Sequence, residues 1–119
     1  MKNCTDIEQS KKLAEILPTE SADMYWRSLN LNGHISWSFH IKRLEPPIYD
    51  LEHYIPCWSL AALLSVIRET MGYTLYGVNN VYMSCNLGDK PWKLETEVYD
   101  NEVDACYEMI LKLHELNLL

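Results

Sequence analysis

Apolar and polar positions alternate without a break over residues 92–99, with Trp92, Leu94, Thr96 and Val98 on one side and Lys93, Glu95, Glu97 and Tyr99 on the other. That is the period of a half-buried strand. At Asp100-Asn101 the period changes, and Val103, Cys106, Tyr107, Ile110 and Leu113 recur at helical spacing. Asp100, Glu102 and Asp104 stand where a helix N-terminus attracts negative charge, so the pattern predicts an amphipathic helix over 101–116.

Two further helices are legible upstream. Thr5-Asp6-Ile7-Glu8 has the spacing of a capping box, Leu13, Ala14, Ile16 and Leu17 continue the helix, and Pro18 stops it, which predicts a helix over 5–17. Ser59 stands as N-cap before a stripe of Leu60, Leu63, Leu64, Ile67 and Met71, with Gly72 as a left-handed terminator, which predicts a helix over 59–71. Between them an aromatic run over 22–29 leads through Asn30-Leu31-Asn32-Gly33 into His34–Ile41, where Ile35, Trp37, Phe39 and Ile41 alternate with His34, Ser36, Ser38 and His40. Two such runs joined by an Asn/Gly turn predict an antiparallel hairpin.

Residues 42–56 carry Pro46-Pro47 and Pro56 with no sustained period and read as a long surface connection. Three short strands come next, at 73–76, 81–87 and 91–99. The order α-β-β-α-β-β-β-α segregates helices from strands, which is the pattern of an α+β fold. The expected product is a twisted, mainly antiparallel sheet of about five strands with helices mostly on one face. Leu13, Ile35, Trp37, Leu60, Leu64, Ile67, Leu94, Val98, Cys106 and Ile110 are the expected core.

A chain of 119 residues, 48% apolar and 23% charged, matches one ordinary globular domain spanning 1–119. Its net charge of −7 is concentrated after residue 86, where eight acids meet three bases. Such a surface repels phosphate and argues against nucleic acid as a partner. The N-terminal stretch lacks the apolar block of a signal peptide, and no apolar run approaches a membrane span. Cys4, Cys57, Cys85 and Cys106 contain no C-x-x-C pair. Together these point to free thiols in a reducing, cytoplasmic compartment, with no membrane partner.

The candidate chemistry is sparse. His53 and Cys57 place an imidazole and a thiol four residues apart, the spacing of a nucleophile and base on one loop. A buried, inert cysteine beside a surface histidine explains the same residues. His34, Ser36, Ser38 and His40 share one strand face and read as its solvent side. The acids Glu95, Glu97, Asp100, Glu102 and Asp104 lack the glycine and terminal bidentate glutamate of a calcium loop and read as helix capping plus a solvated edge. No ligand spacing or nucleotide loop is present, so neither a metal nor a cofactor is expected. Eight Tyr and four Trp are more than a small core requires. Tyr and Trp anchor protein interfaces, and Tyr49, Tyr54 and Trp58 near the proline-rich connection are the expected interaction residues.

Several segments together resemble a family. They are the helix carrying Lys11-Lys12-Leu13-Ala14, the strand carrying Met24-Tyr25-Trp26, the run Ile55-Pro56-Cys57-Trp58-Ser59-Leu60-Ala61-Ala62-Leu63-Leu64 and the ending Leu116-Asn117-Leu118-Leu119. With these the chain resembles short proteins, without an assigned activity, carried by phages, prophages and related mobile elements of gut bacteria. Leu118 stands where such proteins often have Gly after the Asn. The resemblance implies no chemistry and transfers no functional residue. The expected function is therefore a non-enzymatic accessory or protein-interaction domain, binding an unidentified protein or a further copy of itself. The competing class is a small cysteine-dependent hydrolase or transferase using Cys57 with a histidine.

Overall fold

Helix α1, Ile7–Ile16, starts at Asp6, whose carboxylate accepts from the Gln9 N–H at 2.8 Å while the Gln9 side chain accepts from the Asp6 N–H at 3.0 Å. The capping box thus lies one residue beyond the expected Thr5/Glu8 pair. Thr5 is committed elsewhere: it is fully buried, its hydroxyl shares a 2.7 Å hydrogen bond with Ser10, and it accepts from the Trp58 N–H at 3.2 Å. A short 3-10 turn, Thr19–Ser21, then redirects the chain.

The computed structural model describes residues 2–41, 54–70, 72–86 and 93–119. They form two compact units, Cys4–Ser59 and Met1–Asn3 with Leu60–Leu119. In the first, strands β1 (Met24–Leu31) and β2 (His34–Ile41) pair antiparallel from Met24↔Ile41 to Leu31↔His34 in unbroken register. Asn32 and Gly33 join them at φ 54 and 82, the two successive left-handed residues of a tight hairpin turn. Strand β3, Tyr54–Cys57, pairs with the first half of β1, giving the order β2-β1-β3. It lies in the stretch read as a connection. A proline survives there because β3 ends the sheet among the described residues and Pro56 sits opposite Tyr25, whose backbone groups turn toward β2. Helix α1 packs on β3, and Cys4, Met24 and Cys57 form a buried cluster with Trp26 against it.

The second unit contains α2 (Leu60–Thr70), β4 (Tyr73–Tyr76), β5 (Tyr82–Asn86), β6 (Lys93–Glu95) and α3 (Glu102–Glu115), with the sheet order β4-β5-β6. Helix α3 packs on α2 and on β5, burying Val103, Cys106, Met109, Ile110 and Leu113. Asn101 caps α3 by accepting from the Asp104 N–H at 2.9 Å. Its other end closes with the Asn117 N–H donating to His114 O at 3.0 Å and the Leu118 N–H to Leu113 O at 2.9 Å. This is the double bond of a Schellman motif, with Asn117 at φ 57 in the left-handed position. Gly72, expected to be left-handed after α2, is not; Gly77 at φ 95 is.

The fold is α+β, with helices segregated from antiparallel strands as expected, although the strands form two three-stranded sheets rather than one of about five. Of the expected core, Leu13, Ile67, Cys106 and Ile110 are buried, while Trp37, Leu60, Leu64 and Leu94 are half-buried. Ile35 and Val98 are both 61% exposed and do not belong to the core. Val98 is turned out by a bulge. The register runs Ser84↔Glu95 on β6 but Val81↔Tyr99 beyond it, one residue longer on the second strand. Thr96 fills the break: its N–H donates to Met83 O at 2.9 Å and its hydroxyl accepts from the Met83 N–H at 2.9 Å. One added residue in a period of two reverses the face of the residues beyond it.

Candidate functional site

Cys57 lies on β3, fully buried, beside Cys4 and Met24. The Cys4 thiol hydrogen-bonds to it and burial removes water, and both push its ionisation well above the ordinary thiol range. A thiol held neutral and enclosed is a poor nucleophile. His53 lies outside the described residues, and the cluster around Cys57 holds no imidazole among those described. The other thiols obey the same physics. Burial raises Cys85 to about 11 and Cys106 to about 12, and all four cysteines are buried and outside any disulfide.

These shifts fix the sign of a pH effect. A thiol whose folded pKa is raised contributes stability in full below its unfolded pKa of 9.0, and that contribution is lost as pH rises toward the folded value. Unfolding free energy is therefore expected to fall between pH 9 and about 11–12, by roughly 1 kcal/mol at pH 10 for each of Cys85 and Cys106. Urea titrations of the wild type and of Cys106→Ala across that window check it: the variant should lose its share of the slope.

The expected interaction residues separate. Tyr49 lies outside the described residues. Tyr54 is half-buried, edge-on to Tyr25 at 5.8 Å with the Arg27 guanidinium 5.9 Å above its ring. Trp58 is not a surface anchor: it is fully enclosed, and its indole N–H donates to Ser21 Oγ at 2.9 Å. Ser59 donates its hydroxyl to the Asp23 carboxylate.

On the polar face of the hairpin, His34, Ser36 and His40 are exposed and Ser38 is half-buried. Ser38 Oγ lies 2.9 Å from His40 Nε2, and His40 stacks on Tyr25 at 5.4 Å. A hydroxyl and an imidazole are in reach there, and among the described residues no carboxylate is hydrogen-bonded to the ring. A concavity of about 330 Å³ beside α1 is lined by Asp6, Ile7, Glu8 and Trp26 and includes neither thiol nor imidazole. The acidic cluster serves structure: Asp104 pairs with Lys2 at 2.7 Å, and the Glu97 N–H donates to Glu108 at 3.0 Å. Among the described residues no three potential metal ligands converge.

The remaining feature is the apolar face of β2. Ile35, Phe39 and Ile41 are 61%, 42% and 74% exposed, and Trp37 beside them is half-buried. Phe39 meets Trp26 edge-on at 5.5 Å, but Trp37 and Ile35 lie opposite Ser28 and Asn30 on β1, beyond the reach of β3. No protein-family model matches the chain, and no match is found among curated proteins or solved structures. Geometry alone therefore marks the site. Among the described residues β2 ends its sheet, so an apolar stripe and an open backbone edge coincide on one strand. Ile35 and Trp37 of this stripe belong to the core expected from the sequence. The corrective signal is the polar Ser28 and Asn30 on the same face of β1, which mark where the core stops.

Proposed function

We propose that this chain is a non-enzymatic accessory domain that binds protein through β2, in a reducing, cytoplasmic setting. The observation that carries the reading is the exposed stripe of Ile35, Phe39 and Ile41 on a sheet-edge strand. Exposed apolar side chains give a partner area to bury, and the edge gives it backbone groups to pair with. The net charge of −7 favours a protein partner over nucleic acid. Four buried thiols outside any disulfide suit the reducing compartment. Among the described residues no helix is long and apolar enough to cross a membrane. The cysteine-hydrolase alternative loses support because Cys57 is enclosed and its ionisation is opposed.

A photo-activatable benzoylphenylalanine in place of Phe39, with the same group at exposed Glu8 as control, tests the reading in cells expressing the chain. Protein adducts are expected at position 39 and not at position 8. Absence of any adduct at position 39 refutes the reading.

A further inference from the structure

Among the described residues, strand β2 carries neither the charges, the proline nor the bulge by which edge strands avoid one another. Residues 34–41 contain no Lys, Arg, Asp, Glu or Pro, and all pair with β1 without a bulge. Residues in an antiparallel ladder alternate between those whose backbone groups face the partner strand and those whose groups face away. Leu31↔His34 closes a two-residue turn and is a bonded pair, so His34, Ser36, Ser38 and His40 turn their backbone toward β1. Ile35, Trp37, Phe39 and Ile41 turn theirs to the open edge. The four residues that carry the apolar side chains are thus the four whose backbone donors and acceptors have no strand partner among the described residues.

We propose that β2 pairs antiparallel with β2 of a second copy about a two-fold axis through Ser38, joining two three-stranded sheets into one; this deepens the interaction reading above and rests on it. A two-fold axis perpendicular to the sheet keeps each face continuous, which requires apolar residues to stand opposite apolar ones. Centring on Ser38 sets Ile35 against Ile41 and Trp37 against Phe39, so the whole stripe is used and the outward backbone groups bond across the junction. Centring on Trp37 instead leaves Ile41 opposite Gly33. Each copy carries a net charge of −7, but this strand has no formal charge, so the ladder brings no acids together. A self-complementary strand fits a second copy more closely than a foreign segment whose sequence would have to reproduce the same alternation.

Light scattering on the full chain across about 1–200 µM is expected to show a concentration-dependent mass of twice 13.9 kDa. Phe39→Lys and Trp37→Glu should shift it to the monomer with an unchanged far-UV circular dichroism spectrum. Ser38 faces its own copy at a non-bonded site, where Cα atoms lie about 4.5 Å apart, within disulfide range. Ser38→Cys should therefore cross-link under mild oxidation roughly tenfold faster than Ser36→Cys, which faces His40; the native thiols are buried and do not compete. If the charged variants fail to fold, this pair of cysteine variants decides. A monomer throughout the range, a dimer indifferent to Phe39→Lys, or equal cross-linking of the two cysteine variants overturns the proposal. A monomer that still forms adducts with other proteins at position 39 overturns the second copy alone, whereas no adduct at all overturns the interaction surface with it.

Discussion

Trp58→Ala is expected to cost about 3–5 kcal/mol of unfolding free energy, the range for truncating a fully buried large aromatic side chain. Trp58 has no exposed surface. Its indole N–H donates to Ser21 Oγ at 2.9 Å, and its backbone accepts from the Thr5 N–H at 3.0 Å and donates to Thr5 Oγ1 at 3.2 Å. The first residues and the end of β3 are thereby tied at one point. Truncation leaves a cavity and an unmatched hydroxyl, although Ser21 keeps a 2.6 Å bond to Pro18 O. Trp58→Phe, which retains most of the volume, should cost clearly less. Urea unfolding followed by circular dichroism measures both; a loss below about 1 kcal/mol in the alanine variant would contradict enclosure and return Trp58 to the surface.

Gly77→Ala should be the next most damaging single change, at about 2–4 kcal/mol, because two costs coincide. Gly77 has φ 95, a region that side chains disfavour, and a Cβ there would run into the Asn80 carbonyl oxygen. The atom in the way is backbone, so the turn between β4 and β5 must open, and the Tyr76–Tyr82 stack at 4.9 Å on its flank opens with it. Gly72 is the internal control. It has no positive φ and nothing within 4 Å of a Cβ, so Gly72→Ala should be neutral or stabilising by up to about 1 kcal/mol. Equal losses at the two glycines would show that conformational strain at residue 77 is not what matters.

The exposed stripe on β2 and the outward turn of Val98 have a common cause in the nature of alternation. A period of two says that a strand has two different faces; it does not say which face a core covers. On β2 the apolar face is left open at both ends: Ile35 lies opposite Asn30, past the reach of β3, and Ile41 is 74% exposed although it stands opposite Met24. Along 92–99 the alternation is perfect in sequence, yet the bulge at Thr96 reverses it in space. A thiol four residues from an imidazole is likewise only a spacing, and Cys57 proves to be enclosed beside Cys4.

Local patterns along the chain establish the α+β class, the positions of α1, α2 and α3 to within a few residues and the hairpin at Asn32-Gly33. These rest on local physics: cap side chains satisfy nearby backbone donors, left-handed residues permit tight turns, and apolar spacing matches the helical repeat. The tertiary structure alone decided that Asp6 and not Thr5 caps α1, that Trp58 is enclosed, that the strands divide between two sheets and that the stripe on β2 faces outward. Each of these depends on a partner remote in sequence: Ser10 and Trp58 for Thr5, Ser21 for Trp58, and the short reach of β3 for Ile35. Burial is a property of what another segment covers, and no local pattern contains it.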